Sequence, residues 1–178
     1  MVELLEAGAI DGFCVGEPWN QLAVRSGAGR LVASSHEIWP NATEKVLGVR
    51  AAWAERHPAT LLALLRALIE AGAWADRLEN RLELARILAA DAYVAAPLEA
   101  LAYPLLGLVQ EAPDRPPRPL PDAHVFHRRA ANRPRVSHAL RYAREMRRWG
   151  QTDRELSRAE AAEVFRTDLY RAALVPGD

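Results

Sequence analysis

Lysine is nearly missing from this sequence. Lys45 stands alone among 23 basic residues, and the rest are arginines. Cysteine is as scarce: Cys14 is the only one, so no disulfide can form within the chain, and cysteine says nothing about compartment. Its apolar neighbours predict a buried, inert thiol rather than a nucleophile. Net charge is absent too, since 23 basic residues balance 23 acidic ones. That removes a global electrostatic drive toward nucleic acid or an anionic membrane. Long apolar runs are also lacking. The best candidate, residues 61–74, is broken by Arg66 and Glu70 and falls short of the roughly 20 residues a membrane helix needs, so no membrane insertion is expected. Residues 1–6 carry no basic region and no cleavage-type pattern, so this chain as written is expected to hold no export signal. A Gly-x-Ser-x-Gly elbow, a phosphate loop and a dinucleotide fingerprint are all missing. No enzyme activity, catalytic residue or cofactor is expected. The five histidines, His36, His57, His124, His127 and His138, show no metal-ligand spacing with a third ligand, and no metal site is expected.

What is present is an ordinary globular composition, half hydrophobic, with helical periodicity over most of its length. Strands are expected at 10–15, 30–34 and 45–49, where short apolar or β-branched runs end at glycine or polar turns. A helix is expected from Glu17 to about Arg25, with Pro18 in its first turn, where a missing N–H costs nothing. Residues 35–43 read as a loop holding His36, Trp39, Pro40 and Asn41. Further helices are expected at 51–56, from Pro58 to about Arg77, and at 79–90, 97–106, 134–149 and 165–174. Gly8 and Gly150 act as stops, Pro176 and Gly177 close the last helix, and Ser157 with Glu160 forms a capping box. Five prolines between 111 and 122 predict an extended connector.

The strand-to-helix junction at 10–20 is the sharpest signal. Ligands in open α/β sheets sit at the carboxyl ends of strands, where a turn opens into a helix. The junction reads Asp11-Gly-Phe-Cys-Val-Gly-Glu-Pro-Trp-Asn20. It resembles a segment of the nitrate/bicarbonate-type substrate-binding proteins of ABC transporters, shared by cytoplasmic nitrate sensors of the same fold. Three further stretches agree in order: Ile38-Trp39-Pro40-Asn41 through Glu44-Lys45 to Val49, Phe126-His127-Arg128 with Ala130-Ala131-Asn132, and Ser137-His138-Ala139 leading to Arg148-Trp149-Gly150-Gln151. The resemblance covers nearly the whole chain but only the C-terminal half of such a protein.

It implies an α/β class: a partial type II periplasmic-binding-protein fold with few strands and mostly helices. Residues 1–50 would be the end of the second lobe and the return crossing. Residues 51–110 would pack on the first lobe, 111–123 would connect, and 124–178 would form the C-terminal helical segment. The implied function is solute binding for a small oxyanion, nitrate, nitrite or bicarbonate, and delivery to an ABC permease. An alternative is a cytoplasmic nitrate sensor acting on a regulatory partner, an RNA-binding antiterminator. Location follows the role: periplasmic or membrane-associated for an exported transporter component, cytoplasmic for a sensor. Either way a missing N-terminal half is an expected partner.

The candidate ligand-binding residues are Lys45, Glu17, Trp19 and Gly16. An ammonium with a few neutral donors suits a monovalent, weakly hydrated anion, and the resemblance implies a ligand-contacting lysine at the position of Lys45. Gly16, Glu17 and Trp19 would line one cleft wall, although a carboxylate at a helix N-terminus works against a bound anion. The chain departs from the family pattern at Ala42-Thr43, usually His-Pro, and at Pro134-Arg135, usually Pro-Trp. Bicarbonate-type relatives bind calcium, but no Asp-rich loop supports that here. Eight arginines between 128 and 148 face a single acid, Glu145. They raise a third reading, an Arg-rich nucleic-acid-binding helix, which the scarcity of interleaved aromatics argues against; no nucleic acid partner is expected.

Overall fold

The computed structural model describes residues 1–175, and the expected closure at Pro176-Gly177 lies outside them. Ten α-helices are seen among the described residues: α1 Val2–Glu6, α2 Trp19–Arg25, α3 Ser35–Ile38, α4 Ala51–Arg56, α5 Pro58–Asp76, α6 Arg81–Ala89, α7 Leu98–Leu105, α8 Val136–Arg148, α9 Arg158–Val164 and α10 Thr167–Leu174. Two short strands, β1 Leu108–Val109 and β2 Arg118–Pro119, pair antiparallel, with Leu108 opposite Pro119 and Val109 opposite Arg118. The expected class holds: mostly helix, little sheet.

The strands are not where the sequence placed them. Residues 10–15, 30–34 and 45–49 form no ladder, and the only strands among the described residues lie at and beside the proline-rich connector. A strand is defined by a neighbour that accepts and donates its backbone hydrogen bonds. These segments have strand composition without such a neighbour. Cys14 follows suit: it is exposed rather than buried, because nothing covers its side of the run.

The helix ends follow from local chemistry. α8 closes in a Schellman motif: Gly150 at φ +68° donates to the Arg147 carbonyl at 3.1 Å, and Gln151 donates to Met146 at 2.9 Å. A side chain there would meet the left-handed penalty that glycine escapes. At α9, the Ser157 hydroxyl accepts from the Glu160 N–H at 3.2 Å, while the Glu160 carboxylate accepts from the Ser157 N–H at 2.9 Å. The same box, Ser34 with Glu37, starts α3 inside the stretch expected to be a loop.

Two compact units form. One comprises residues 1–42 and 74–126, the other 43–73 and 127–178. In the first, α6 packs on α7 around Ala85, Ala96, Leu101 and Leu105. α2 lays Ala23 and Val24 against the same helix, and Arg25 stacks over Tyr103 at 5.1 Å. α6 turns Ala85 and Leu88 into the core, leaves Leu82 and Ile87 exposed, and buries Arg81. The Arg81 Nη2 meets Asp76 at 2.9 Å and the His124 carbonyl at 3.1 Å, and Nη1 meets the Leu105 carbonyl at 3.3 Å. Its guanidinium lies 4.7 Å from the Phe126 ring centroid. Asp76 also accepts the Phe126 N–H at 3.2 Å. One ion pair therefore fastens the end of α5 and the start of α6 to the return segment at 124–126.

In the second unit α8 packs on α9, burying Ala139 and Ala161. The Tyr142 hydroxyl on α8 bonds both the hydroxyl and the carbonyl of Thr43, and Thr167 donates to the Pro134 carbonyl. By length and composition alone α5 is apolar enough to cross a membrane. It nonetheless carries Arg66 and Glu70, and Arg66 donates to the Val175 carbonyl at 3.3 Å.

Candidate functional site

Gly16, Glu17 and Trp19 share one turn in the first unit. α2 starts at Trp19, with Pro18 as its N-cap after a cis Glu17–Pro18 bond, so the helix begins two residues later than expected. Asn20 reaches back to the Val15 carbonyl at 2.8 Å. The Glu17 carboxylate accepts the Gln21 N–H at 3.2 Å. One of the orphan donors of α2 is thus satisfied from within, by an acceptor that already brings negative charge. Burial raises the Glu17 carboxyl above its usual range, partly offset by hydrogen bonds from Gln21 and Asn20. Pro18 is buried, and Trp19 remains 36% exposed.

Behind the turn sits a residue the sequence reading passed over. Gln21 is fully buried. Its amide nitrogen donates to the Gln110 carbonyl at 3.2 Å, and its oxygen accepts the Gln110 N–H at 3.1 Å. This reciprocal pair ties α2 to the backbone just after β1 and fixes the turn that carries Glu17. The only clue in the sequence was a polar residue on the apolar side of a short helix.

Lys45 lies in the other unit, on the extended stretch 44–50. Its side chain is 81% exposed and pairs with Glu44 at 2.8 Å. The four candidates fall into a trio on one turn of the first unit and a single ammonium in the second. Shallow concavities at Val136/Phe165/Asp168 and at Gly29/Arg30/Asp114 include none of them.

On α8, Arg141, Arg144 and Arg148 recur at helical spacing along an exposed stripe opposite buried Ala139, and Glu145 pairs with Arg148 at 3.5 Å. Burial, then Arg135 and Arg141, lower the His138 pKa from its usual value. Among the described residues no cluster of three or more His, Cys, Asp or Glu side chains is arranged to hold a metal ion.

The chain has the fold of part of a substrate-binding protein. The crystal structure of the periplasmic nitrate-binding protein NrtA from Synechocystis PCC 6803 superposes on 97% of this chain with a TM-score of 0.92 at 30% identity, using 46% of that chain. The profile of the NMT1-like family matches residues 1–89, and the chain belongs to that family. The nitrate/nitrite binding protein NrtA of Synechococcus elongatus is 35% identical over 177 residues, which is 97% of this chain and 39% of that protein. The nitrate import ATP-binding protein NrtC of Synechocystis sp. is 39% identical over 174 residues, again 97% of this chain but 26% of that protein. The chain thus spans less than half the length of these relatives.

Proposed function

We propose that this chain forms part of a solute-binding component for a small oxyanion, nitrate or nitrite in the first place and bicarbonate next, in an ABC transport system. The observation that carries the reading is the TM-score of 0.92 to a nitrate-binding protein at 30% identity. Fold alone would not license a function. Here the sequence similarity to nitrate and bicarbonate transport components adds the ligand class. Lys45 supplies the cationic contact for the anion. Gly16, Glu17 and Trp19 line a wall, with the half-buried Glu17 carboxyl working as a hydrogen-bonding group rather than as a countercharge. The partners are an ABC permease and a polypeptide that supplies the remainder of the fold. An exported, periplasmic location follows for the assembled protein.

The test is calorimetric titration of nitrate, then bicarbonate, into the protein and its Lys45→Ala variant, with the remainder of the fold supplied. Nitrate binding is expected to weaken at least tenfold in the variant, a loss of about 1.4 kcal/mol or more. Equal nitrate affinity in both proteins removes Lys45 from the site.

The similarity to ATP-binding components favours a second reading, in which the same module senses the oxyanion within the energising part of a transporter. The stretch matched to them carries no phosphate-binding loop, so it would be the sensing part and not the nucleotide site. Association with a transport ATPase rather than with a permease distinguishes the two.

A further inference from the structure

α8 packs along one side only. Ala139 is buried where the helix meets α9, and the Tyr142 hydroxyl is tied to Thr43. At about 100° per residue, Arg141, Arg144 and Arg148 fall within about 60° of one another, almost diametrically opposite Ala139. Arg147 flanks them, and all four are exposed. Four guanidinium charges thus share about 10 Å of one outer helix face.

The stripe breaks a habit of this chain. Elsewhere arginines meet carboxylates: Arg81 meets Asp76, Arg118 meets Glu37 and Glu111, Arg154 meets Glu160, and Arg166 meets Asp168. Glu145 is the one acid on α8, and it reaches only Arg148, at 3.5 Å. Arg144 sits three or four residues from Arg141, Arg147 and Arg148, a spacing at which like charges work against a helix. The positive field extends to the start of the helix, where Arg135 and Arg141 add to burial in lowering the His138 pKa. Water alone gives these charges no reason to be gathered on one face. A negatively charged surface opposite them does.

We propose that the Arg141/Arg144/Arg147/Arg148 face of α8 docks on an anionic phospholipid surface, through the headgroup phosphates. Charge complementarity names a polyanion, and what the stripe lacks narrows the choice. A protein interface forms around an apolar core, and this face is arginine at its centre. Nucleic-acid readers add Asn or Gln for base edges, or aromatic platforms for stacking. α8 carries no Asn or Gln, and its one aromatic ring besides His138 is Tyr142, which is turned to Thr43. What remains is a row of point charges on a convex face, which asks only for a continuous negative field. Each arginine near such a surface adds about fivefold to binding. The chain as a whole is neutral, so the attraction belongs to this face and orients the second unit. Ala139 stays packed beneath it, so the helix lies on the headgroups and does not insert.

The test is cosedimentation of the protein with vesicles of phosphatidylglycerol and phosphatidylcholine in equal parts, and with vesicles of phosphatidylcholine alone, at about 0.1 M salt. Binding is expected to be at least about 100-fold tighter to the anionic vesicles, and to be lost at about 1 M salt. Arg144→Gln/Arg147→Gln/Arg148→Gln should keep its circular dichroism and weaken that binding at least about 30-fold. The control Arg30→Gln/Arg77→Gln/Arg86→Gln removes the same charge from exposed positions of the first unit and should stay within about threefold of the parent. No preference for anionic vesicles, an equal loss in the two triple variants, or tighter binding to a DNA duplex, a single-stranded RNA or poly-glutamate at the same salt overturns the proposal. Nitrate is absent throughout, so either outcome leaves the oxyanion reading to its own titration.

Discussion

The Asp76–Arg81 pair gives the sharpest stability prediction. Both side chains are almost wholly removed from water, at 8% and 5% exposed. Arg81 serves one carboxylate and two carbonyls and also stacks on Phe126, while Asp76 additionally accepts a backbone N–H. Replacing Arg81 by Met keeps much of the volume but takes the cation away from a buried carboxylate. Replacing Asp76 by Leu takes the anion away from a buried guanidinium. Breaking a buried pair from one side costs about 3–5 kcal/mol. With a urea slope of about 1–3 kcal/mol per molar, the midpoint should fall by about 1–5 M. The double variant removes both charges, so its cost should fall short of the sum of the singles by about 2 kcal/mol or more. The two carbonyls and the Phe126 N–H still lose partners, so it should not regain full stability. Urea melts followed by circular dichroism would supply the cycle. Strict additivity, or single variants within 1 kcal/mol of the parent, would refute the account of Arg81 as the clamp of this unit.

Two pH predictions follow from carboxylates at helix starts, and they have opposite signs. Burial raises the Glu17 carboxyl, so its ionisation works against the folded state. Its contribution is present below the ordinary carboxylate range and is lost as pH rises toward the raised folded value. Glu17→Gln keeps an acceptor for the Gln21 N–H and drops the charge. The variant should therefore gain on the parent between pH 4 and pH 7, as read from thermal melts; a gap that shrinks over that interval contradicts it. Glu160 runs the other way, lowered to about 2 by the Ser157 backbone and side-chain hydrogen bonds and by Arg154. Its contribution is full above the unfolded value near 4.5 and disappears as pH falls through about 2. Carbon-13 NMR should find the Glu160 carboxyl titrating well below its neighbours in the parent and only partway back toward the ordinary range in Ser157→Ala, which keeps the backbone N–H, the largest cause; unchanged titration in the variant would show that the Ser157 hydroxyl contributes nothing.

The helices were legible because their determinants are local. Periodicity gave α5 from Pro58, Ser157 and Glu160 marked the start of α9, and Gly150 marked the end of α8. α3 was missed although Ser34 and Glu37 carry the same signature as Ser157 and Glu160; a loop rich in Trp, Pro and Asn hid it. The expected strands failed for a physical reason. Strand composition describes fit to neighbours across a ladder, and for 10–15, 30–34 and 45–49 those neighbours are not among the described residues. Arg81 was illegible because a single arginine in a helical pattern reads as solvent-facing until the partner five residues earlier is seen to be buried with it. Of the candidate site, the shared turn of Gly16, Glu17 and Trp19 followed from sequence adjacency. Gln21 did not, since its partner Gln110 lies 89 residues away. The interleaving of the two units likewise arises from contacts distant in sequence.

The scarcity of lysine and cysteine makes the chain unusually easy to instrument. Its one side-chain amine, Lys45, is exposed in one unit, and its one thiol, Cys14, is exposed in the other. A thiol-reactive dye therefore marks the first unit, and an amine-reactive dye marks Lys45 in the second once the α-amine of Met1 is blocked, without any engineered residue. Energy transfer between them would report in real time whether the units move when an oxyanion is added. If the run around Cys14 acquires a strand partner, the slowing of its maleimide labelling would time that event separately.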